Sequence, residues 1–485
     1  MNVISKTLNN KFKIILAKDN SNPLVCLQLY VRIGSVWERR EEAGYSHFTE
    51  HLVFKSTEKF PQNSIMERVT YLGGSINAYT EYDTTCLYIT LPSKFVLEGI
   101  EILTELSRHA NYSKQEFESE KKVVIEELKQ FKNDPEEYFL EQIAKNYFKK
   151  NPYRFPIIGN KESLINATYL RLKRFYKKYY SSNNCFLIAS GDFEESKLMN
   201  AVNSHFGNWK PNKIEKIKKV AEDYPEKPKI ISIEKNISND ILAFVLPDLA
   251  ETNPDSYPLS LAMKAFAIGK NSHVYTRLFD NEKLIDSIKV HSLSGINSGA
   301  SIILVMPKKN ADLTKICKII LEELEQFYRF GINEIELKDH KKELIFFYRY
   351  AFEYVESLAA SLGCEEILTG YENLFKYPDI IESINNSKLN QIISKYFKKD
   401  HLYIFHYGNR KFDKTEIKKR LNLVDKKISK ITQKKEFYET RLDNGMKVLL
   451  KQVYGKPTIG ISLSYEVSQL NELKKNRGLN LLTSG

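Results

Sequence analysis

A chain of 485 residues with 42% hydrophobic and 12% aromatic content can bury sizeable cores, and its length sets an expectation of about two to four domains. A 28% charged content, with no apolar run approaching the roughly 20 residues of a membrane helix, argues against a membrane protein. The net charge of +12 is densest from Arg410 onward, but Lys418, Lys419 and Arg420 alternate there with Ile417 and Leu421 at helical spacing, which reads as a solvated helix face and not a nucleic-acid surface.

The N-terminus, Met1 to Asn20, lacks the apolar core of a secretory signal, and the five scattered cysteines (Cys26, Cys86, Cys185, Cys317, Cys364) read as buried free thiols; both point to the cytoplasm. Leu8-Asn9-Asn10 predicts a turn and Phe12 to Leu16 an extended run, followed by a strand over Leu24 to Val31. Helices are expected over 44–54 and 64–72, the second ended by Gly73-Gly74. Ser75 to Thr80 and Thr84 to Leu91 follow as a hairpin-like pair, then a helix over 95–109. Ser113 and Glu116 form a capping box that opens a long helix to about Lys132.

The chemistry concentrates in the helix Gly44-Tyr45-Ser46-His47-Phe48-Thr49-Glu50-His51. His47 and His51, four apart, share one helix face, and Glu50 lies at its edge. Two imidazoles and a carboxylate converging suit zinc and an activated water, in the His-x-x-Glu-His order of the inverzincins. A third ligand belongs on another element. Glu120 and Glu127 stand seven apart on one face of the helix opened by Ser113, with Val123 and Val124 between them to pack it. An ordinary charged helix would fit the same residues.

Two internal matches imply repetition. Leu442 to Leu450 matches Leu8 to Leu16 at an offset of 434, and Lys395 to Gly408 matches Lys178 to Gly191 at half that offset, 217. Modules of about 217 residues built of helix and sheet follow, with a third starting near Glu436. In that third copy Leu481, Ser484 and Gly485 stand opposite His47, Glu50 and His51, so it carries no metal ligands. A fragment of a module buries too little surface to fold alone, so the expectation is that Gly485 truncates a longer protein or that a partner chain completes it.

Several stretches carry a family likeness: the His-x-x-Glu-His helix, Glu127 following His51 by 76 residues with Glu120 seven earlier, Gly74-Ser75-Ile76-Asn77-Ala78-Tyr79-Thr80, Pro152 to Gly159, and Phe175 to Tyr180 with Gly191-Asp192. Together they resemble the pitrilysin and insulin-degrading-enzyme family of zinc metallopeptidases, densely over the first 210 residues and down to about 435. The resemblance implies an α+β fold of two homologous modules, each a mostly antiparallel sheet packed by helices, plus the start of a third. The corresponding boundaries are 1–222 for the metal-bearing module, 223–409 for a metal-free one, 410–435 for a Lys-rich helical linker and 436–485 for the incomplete third module. It implies Zn²⁺ held by His47, His51 and Glu127, Glu50 as general base, Glu120 orienting a ligating histidine, and Asn77 and Ala78 contacting an extended or unfolded peptide substrate at a sheet edge near Asn77 to Tyr88. A non-catalytic scaffold subunit is the alternative. One departure stands out: the family's Arg and Tyr, seven apart after a Ser-Arg-Leu-Phe-like stretch, have no counterpart after Thr276-Arg277-Leu278-Phe279, since Asp280 to Val290 contains neither. The resemblance assigns that pair to a C-terminal half or partner subunit.

Overall fold

Runs of Val, Ile, Leu and Phe long enough to be apolar on both faces form the central strands, and that two-sided burial governs everything stacked on them. The computed structural model describes residues 3–62, 64–215, 220, 222–422, 438–441 and 447–450. The chain divides into two units, 1–427 and 428–485.

The first module runs β1 (Val3–Thr7), β2 (Lys13–Lys18), β3 (Leu24–Val31), α1 (Tyr45–Val53), α2 (Ser64–Tyr71), β4 (Ser75–Thr80) and β5 (Thr85–Pro92). It continues through α3 (Val96–Arg108), α4 (Lys114–Asn133), α5 (Pro135–Tyr147), α6 (Lys161–Asn166), α7 (Tyr169–Tyr179), β6 (Cys185–Gly191) and α8 (Glu195–Phe206). Its six strands lie in the order β1-β2-β6-β3-β5-β4. Only β2–β6 pairs parallel. Strand β4 is therefore an edge, whereas β5, with Tyr88, is interior; the substrate edge expected over Asn77 to Tyr88 is confined to β4.

The second module repeats this plan with β7 (Lys229–Glu234), β8 (Ile241–Asp248), α9 (Ser256–Ala267), α10 (His273–Tyr275), β9 (Ile285–Leu293) and β10 (Gly299–Pro307). After these come α11 (Leu313–Phe330), α12 (Glu334–Tyr350), α13 (Val355–Leu368), α14 (Tyr377–Ser383), α15 (Asn386–Tyr396), β11 (Tyr403–Gly408) and α16 (Lys414–Asn422). The sheet order β7-β11-β8-β10-β9 is that of the first sheet without β1, and again only the β7–β11 pair is parallel. Strands β3 and β8 begin at Leu24 and Ile241, and helices α7 and α15 at Tyr169 and Asn386, the expected 217 residues apart in both cases. Capping boxes open both α4 (Ser113, Glu116) and α12 (Asn333, Glu336).

Two expectations change. The segment 410–435 is not a linker throughout, because α16 docks on the second module: Ile417 and Leu421, one turn apart, enter its core while the lysines face out. Of the five free cysteines, Cys364 is exposed and the other four are buried. In the second unit, β12 (Tyr438–Arg441) and β13 (Lys447–Leu450) pair antiparallel with Arg441 opposite Lys447. This is the β1–β2 register, Thr7 opposite Lys13, displaced by 434. The rest of the expected third module, with Leu481, Ser484 and Gly485, lies outside the described residues. Among those described, no helix is long and apolar enough to cross a membrane.

One face of each sheet is packed by helices of its own module; the other is covered by a helix from its neighbour. On the first sheet, Leu358, Ala359 and Leu362 of α13 pack against Ile15, Tyr30, Phe186 and Ile188. On the second, Phe139, Ile143 and Tyr147 of α5 pack against Ala243, Val245, Leu304 and Phe405. Buried Glu366 of α13 anchors this exchange, accepting from Lys13 Nζ at 2.7 Å and Arg32 Nη2 at 2.8 Å. Gly363 sets how closely α13 approaches, since a Cβ there would lie 2.1 Å from Tyr30 Cζ. Replacing a helical glycine by alanine ordinarily gains up to about 1 kcal/mol. Gly363→Ala is expected instead to lower stability by about 1–3 kcal/mol through overpacking, read from urea unfolding.

Candidate metal centre

The centre is built on α1. Tyr45, Phe48, Leu52 and Val53 point into the core of the first module, which turns His47, Glu50 and His51 to the other side. The helix starts sharply at Gly44, whose φ of 90° and 2.5 Å clearance between a notional Cβ and Ile158 O admit no side chain. Its first N–H groups are capped from a distance: Glu38 accepts from Gly44 N at 2.7 Å and Ser46 N at 2.6 Å. Burial pushes the Glu38 carboxyl up to about 8, against the pull of those two N–H groups.

Helix α4 brings the second set. Phe117, Val124 and Leu128 seat it in the core, and Phe117 stacks on Phe48 of α1 with ring centroids 5.4 Å apart. Val123, expected to pack beside Val124, is exposed, because it lies about 100° round the helix from its neighbour. Glu127 Oε1 stands 3.6 Å from His47 Nε2, and Glu127 Oε2 stands 3.3 Å from His51 Nε2. Donors about 2.0–2.1 Å from one tetrahedral centre lie roughly 3.3–3.4 Å apart, so these spacings suit a shared cation. His47, His51 and Glu127 offer ligand atoms within 4.8 Å of one another, the one such group of three among the described residues. Glu127 Oε2 is buried and faces His51 Nε2, so the carboxylate is turned toward the same point as the two imidazoles.

The other sequence-predicted residues take distinct places. Glu120, buried, has Oε1 2.9 Å from His51 Nδ1. Glu50 accepts from Thr80 Oγ1 at 2.5 Å, which ties it to the last residue of edge strand β4. Asn77 is exposed in mid-β4 and its Oδ1 accepts from Ala78 N at 2.9 Å; Ala78 is half-buried. Arg277, in the Thr-Arg-Leu-Phe stretch, is engaged within the second module by Glu282 at 3.5 Å and Glu323 at 3.8 Å.

The charges sort by neighbour. Burial and the facing His51 lower His47 to about 4. Burial also works to lower His51, but the Glu120 and Glu127 carboxylates beside it raise it to about 9. His51 holds Glu127 below the usual carboxylate range. Burial raises Glu50, with the Thr80 hydroxyl opposing it. Sequence reasoning missed Glu38 and Thr80. Glu38 lies six residues before the N-cap Gly44 and matches no local capping pattern; Thr80 closes both its strand and the Gly74–Thr80 likeness, and neither signals a bond to Glu50.

These features define a class, a duplicated α+β fold whose first module brings two histidines of one helix up to a glutamate of another. Residues 13–161 match the family described as Insulinase (Peptidase family M16) and residues 166–344 the Peptidase M16 inactive domain. The chain belongs to peptidase family M16. It is 23% identical over 400 residues to an uncharacterized zinc protease, YmxG, of Bacillus subtilis, covering 81% of this chain and 96% of that protein. Its fold is similar to that of a protease from Helicobacter pylori, with TM-score 0.79 and 21% identity over 84% of this chain and 99% of the other. It is also similar to the periplasmic protease PqqL of Escherichia coli, with TM-score 0.73 and 19% identity, where it covers 94% of this chain but 56% of PqqL.

The raised Glu38 pKa makes a signed prediction. A carboxyl whose folded pKa lies near 8, above its ordinary 4.5, contributes stability below 4.5 that is lost as pH rises through 8. Urea midpoints of the wild type relative to Glu38→Gln are therefore expected to fall between about pH 5 and pH 8.5. Glu38→Ala, which uncaps α1, is expected to cost about 1 kcal/mol at low pH.

Proposed function

We propose that this chain is the metal-bearing half of a zinc endopeptidase acting on extended or unfolded peptides. The observation that carries the reading is the convergence of His47 Nε2, His51 Nε2 and the Glu127 carboxylate from two helices. Zinc held by these residues would supply the Lewis acidity that brings the pKa of water toward about 7 and polarises a carbonyl. Glu50, beside that position and raised by burial, takes the proton of the attacking water and returns it to the leaving amine. Glu120 orients the His51 ring through Nδ1. A peptide adding as a further strand to β4, along Asn77 and Ala78, would bring its backbone past Thr80 toward Glu50 by hydrogen bonds that are indifferent to its sequence.

One oxyanion donor is worth about 2.7–4 kcal/mol of barrier, and the Arg–Tyr pair that the family resemblance calls for has no counterpart after Phe279. We therefore assign its supply to a complementary half or partner subunit. The same absence favours a second reading, a scaffold subunit of this fold. Zinc uptake separates the two. With His47 neutral and His51 protonated at neutral pH in the metal-free protein, binding one zinc is expected to release about one proton, measured by calorimetry in buffers of different ionisation enthalpy. In the protein supplied with its complementary half, Glu50→Gln is expected to keep zinc and lower peptide cleavage by about 10²–10⁴. Unchanged cleavage removes Glu50 as the base; no zinc uptake by the wild type leaves the scaffold reading.

A further inference from the structure

One ionic contact beside the centre has no part in the chemistry above. Lys55, two residues beyond the end of α1, places Nζ 2.6 Å from Glu120 Oε2. The other oxygen of that carboxylate lies 2.9 Å from His51 Nδ1. Three groups therefore run in line: ammonium, carboxylate, imidazole, with the far nitrogen of the ring facing Glu127. The Lys55 and Glu120 side chains are 23% and 7% exposed, so the pair is not one of the solvated surface contacts that contribute little. The adjacent Ser56 hydroxyl donates to Glu116, one turn earlier on α4, and Glu116 also closes the capping box with Ser113. Consecutive residues after α1 thus grip α4 at positions 116 and 120, on the stripe that reaches Glu127 two turns later.

A neutral imidazole can carry its proton on either nitrogen, and only the form with Nδ1–H leaves Nε2 free for a cation. An acceptor fixed at Nδ1 selects that form, but a carboxylate with one oxygen unpartnered can turn away from the ring. Resting on the zinc reading above, we propose that Lys55 is a positioning residue of the centre: by holding Glu120 Oε2 it keeps Oε1 on His51 Nδ1, and so presents His51 Nε2 to the metal at the height on α4 where Glu127 meets it.

The test uses the full chain, zinc alone as probe, and two readouts: zinc affinity by competition with a chromogenic chelator, and, from histidine-selective ¹⁵N spectra of the zinc-loaded protein, which His51 nitrogen carries the proton and which the metal. Lys55→Met is expected to weaken zinc about 10-fold, as changes just outside a ligand set do, and to give His51 a mixed tautomer signature. Lys55→Arg, which keeps the cation, is expected to restore most of the affinity. Lys55→Met combined with Glu120→Gln is expected to bind no more weakly than Glu120→Gln alone, since the lysine acts only through that carboxylate. Urea midpoints report whether each variant folds, and Lys55→Gln replaces Lys55→Met if the latter does not. Wild-type affinity and a single tautomer in the folded Lys55 variant, with wild type binding zinc, would overturn the role of Lys55 and leave the zinc reading standing. Absence of zinc binding in the wild type itself would overturn both.

Discussion

Everything else in the molecule depends on one requirement, that both faces of each sheet be covered. The first sheet is completed by α13 and the second by α5, each from the other module. Helix α5 follows α4 with only Asp134 between them, and Asp134 caps it. The helix that carries Glu120 and Glu127 is thereby held at its N-terminal end by its capping box and the contacts of Lys55 and Ser56, and at its C-terminal end by the burial of its continuation under the second sheet. Glu120 and Glu127 are separated by roughly 10 Å along the helix. A tilt at either end would move one of them off the α1 histidines, so the architecture of the second module bears directly on the geometry of a centre in the first.

Three carboxylates crowd this centre, and their surroundings set them apart. Glu120 lies between Lys55 and His51 and stays below its ordinary pKa although burial opposes this. Glu127 faces His51 and His47 and is lowered too. Glu50 has the neutral Thr80 hydroxyl as its hydrogen-bond donor, and burial raises it. Two carboxylates are thus held as anions while the third is poised to take up a proton. Divergent environments of this kind divide acid–base work among like side chains.

The parts readable from sequence are those whose information is local or periodic. The His47–His51 pair, the Ser113 capping box and the Leu24–Val31 strand each state themselves within a few residues, and the 217-residue period exposes the duplication of the helix-and-sheet module before any contact is known. What escaped depends on distant partners. Helical periodicity says that α5 and α13 bury a face, but the residues that receive it lie about a hundred positions or more away, so nothing local tells which sheet they cover. Val123 and Val124 look alike in sequence and diverge because only one points at the core. Glu38 reaches α1 across a short irregular segment, and the Lys-rich stretch around Ile417 looks like a linker until its two apolar residues find the second core.

The reciprocal covering also imposes a schedule on synthesis. The last strand of the first sheet, β6, ends at Gly191, but the helix that closes that sheet is complete only at Leu368. At about 5–20 residues per second, the ribosome needs roughly 10–35 s to make the intervening chain. Throughout that interval Ile15, Tyr30, Phe186 and Ile188 lack the helix that covers them in the finished structure, which leaves the nascent N-terminal module with an aggregation-prone apolar face.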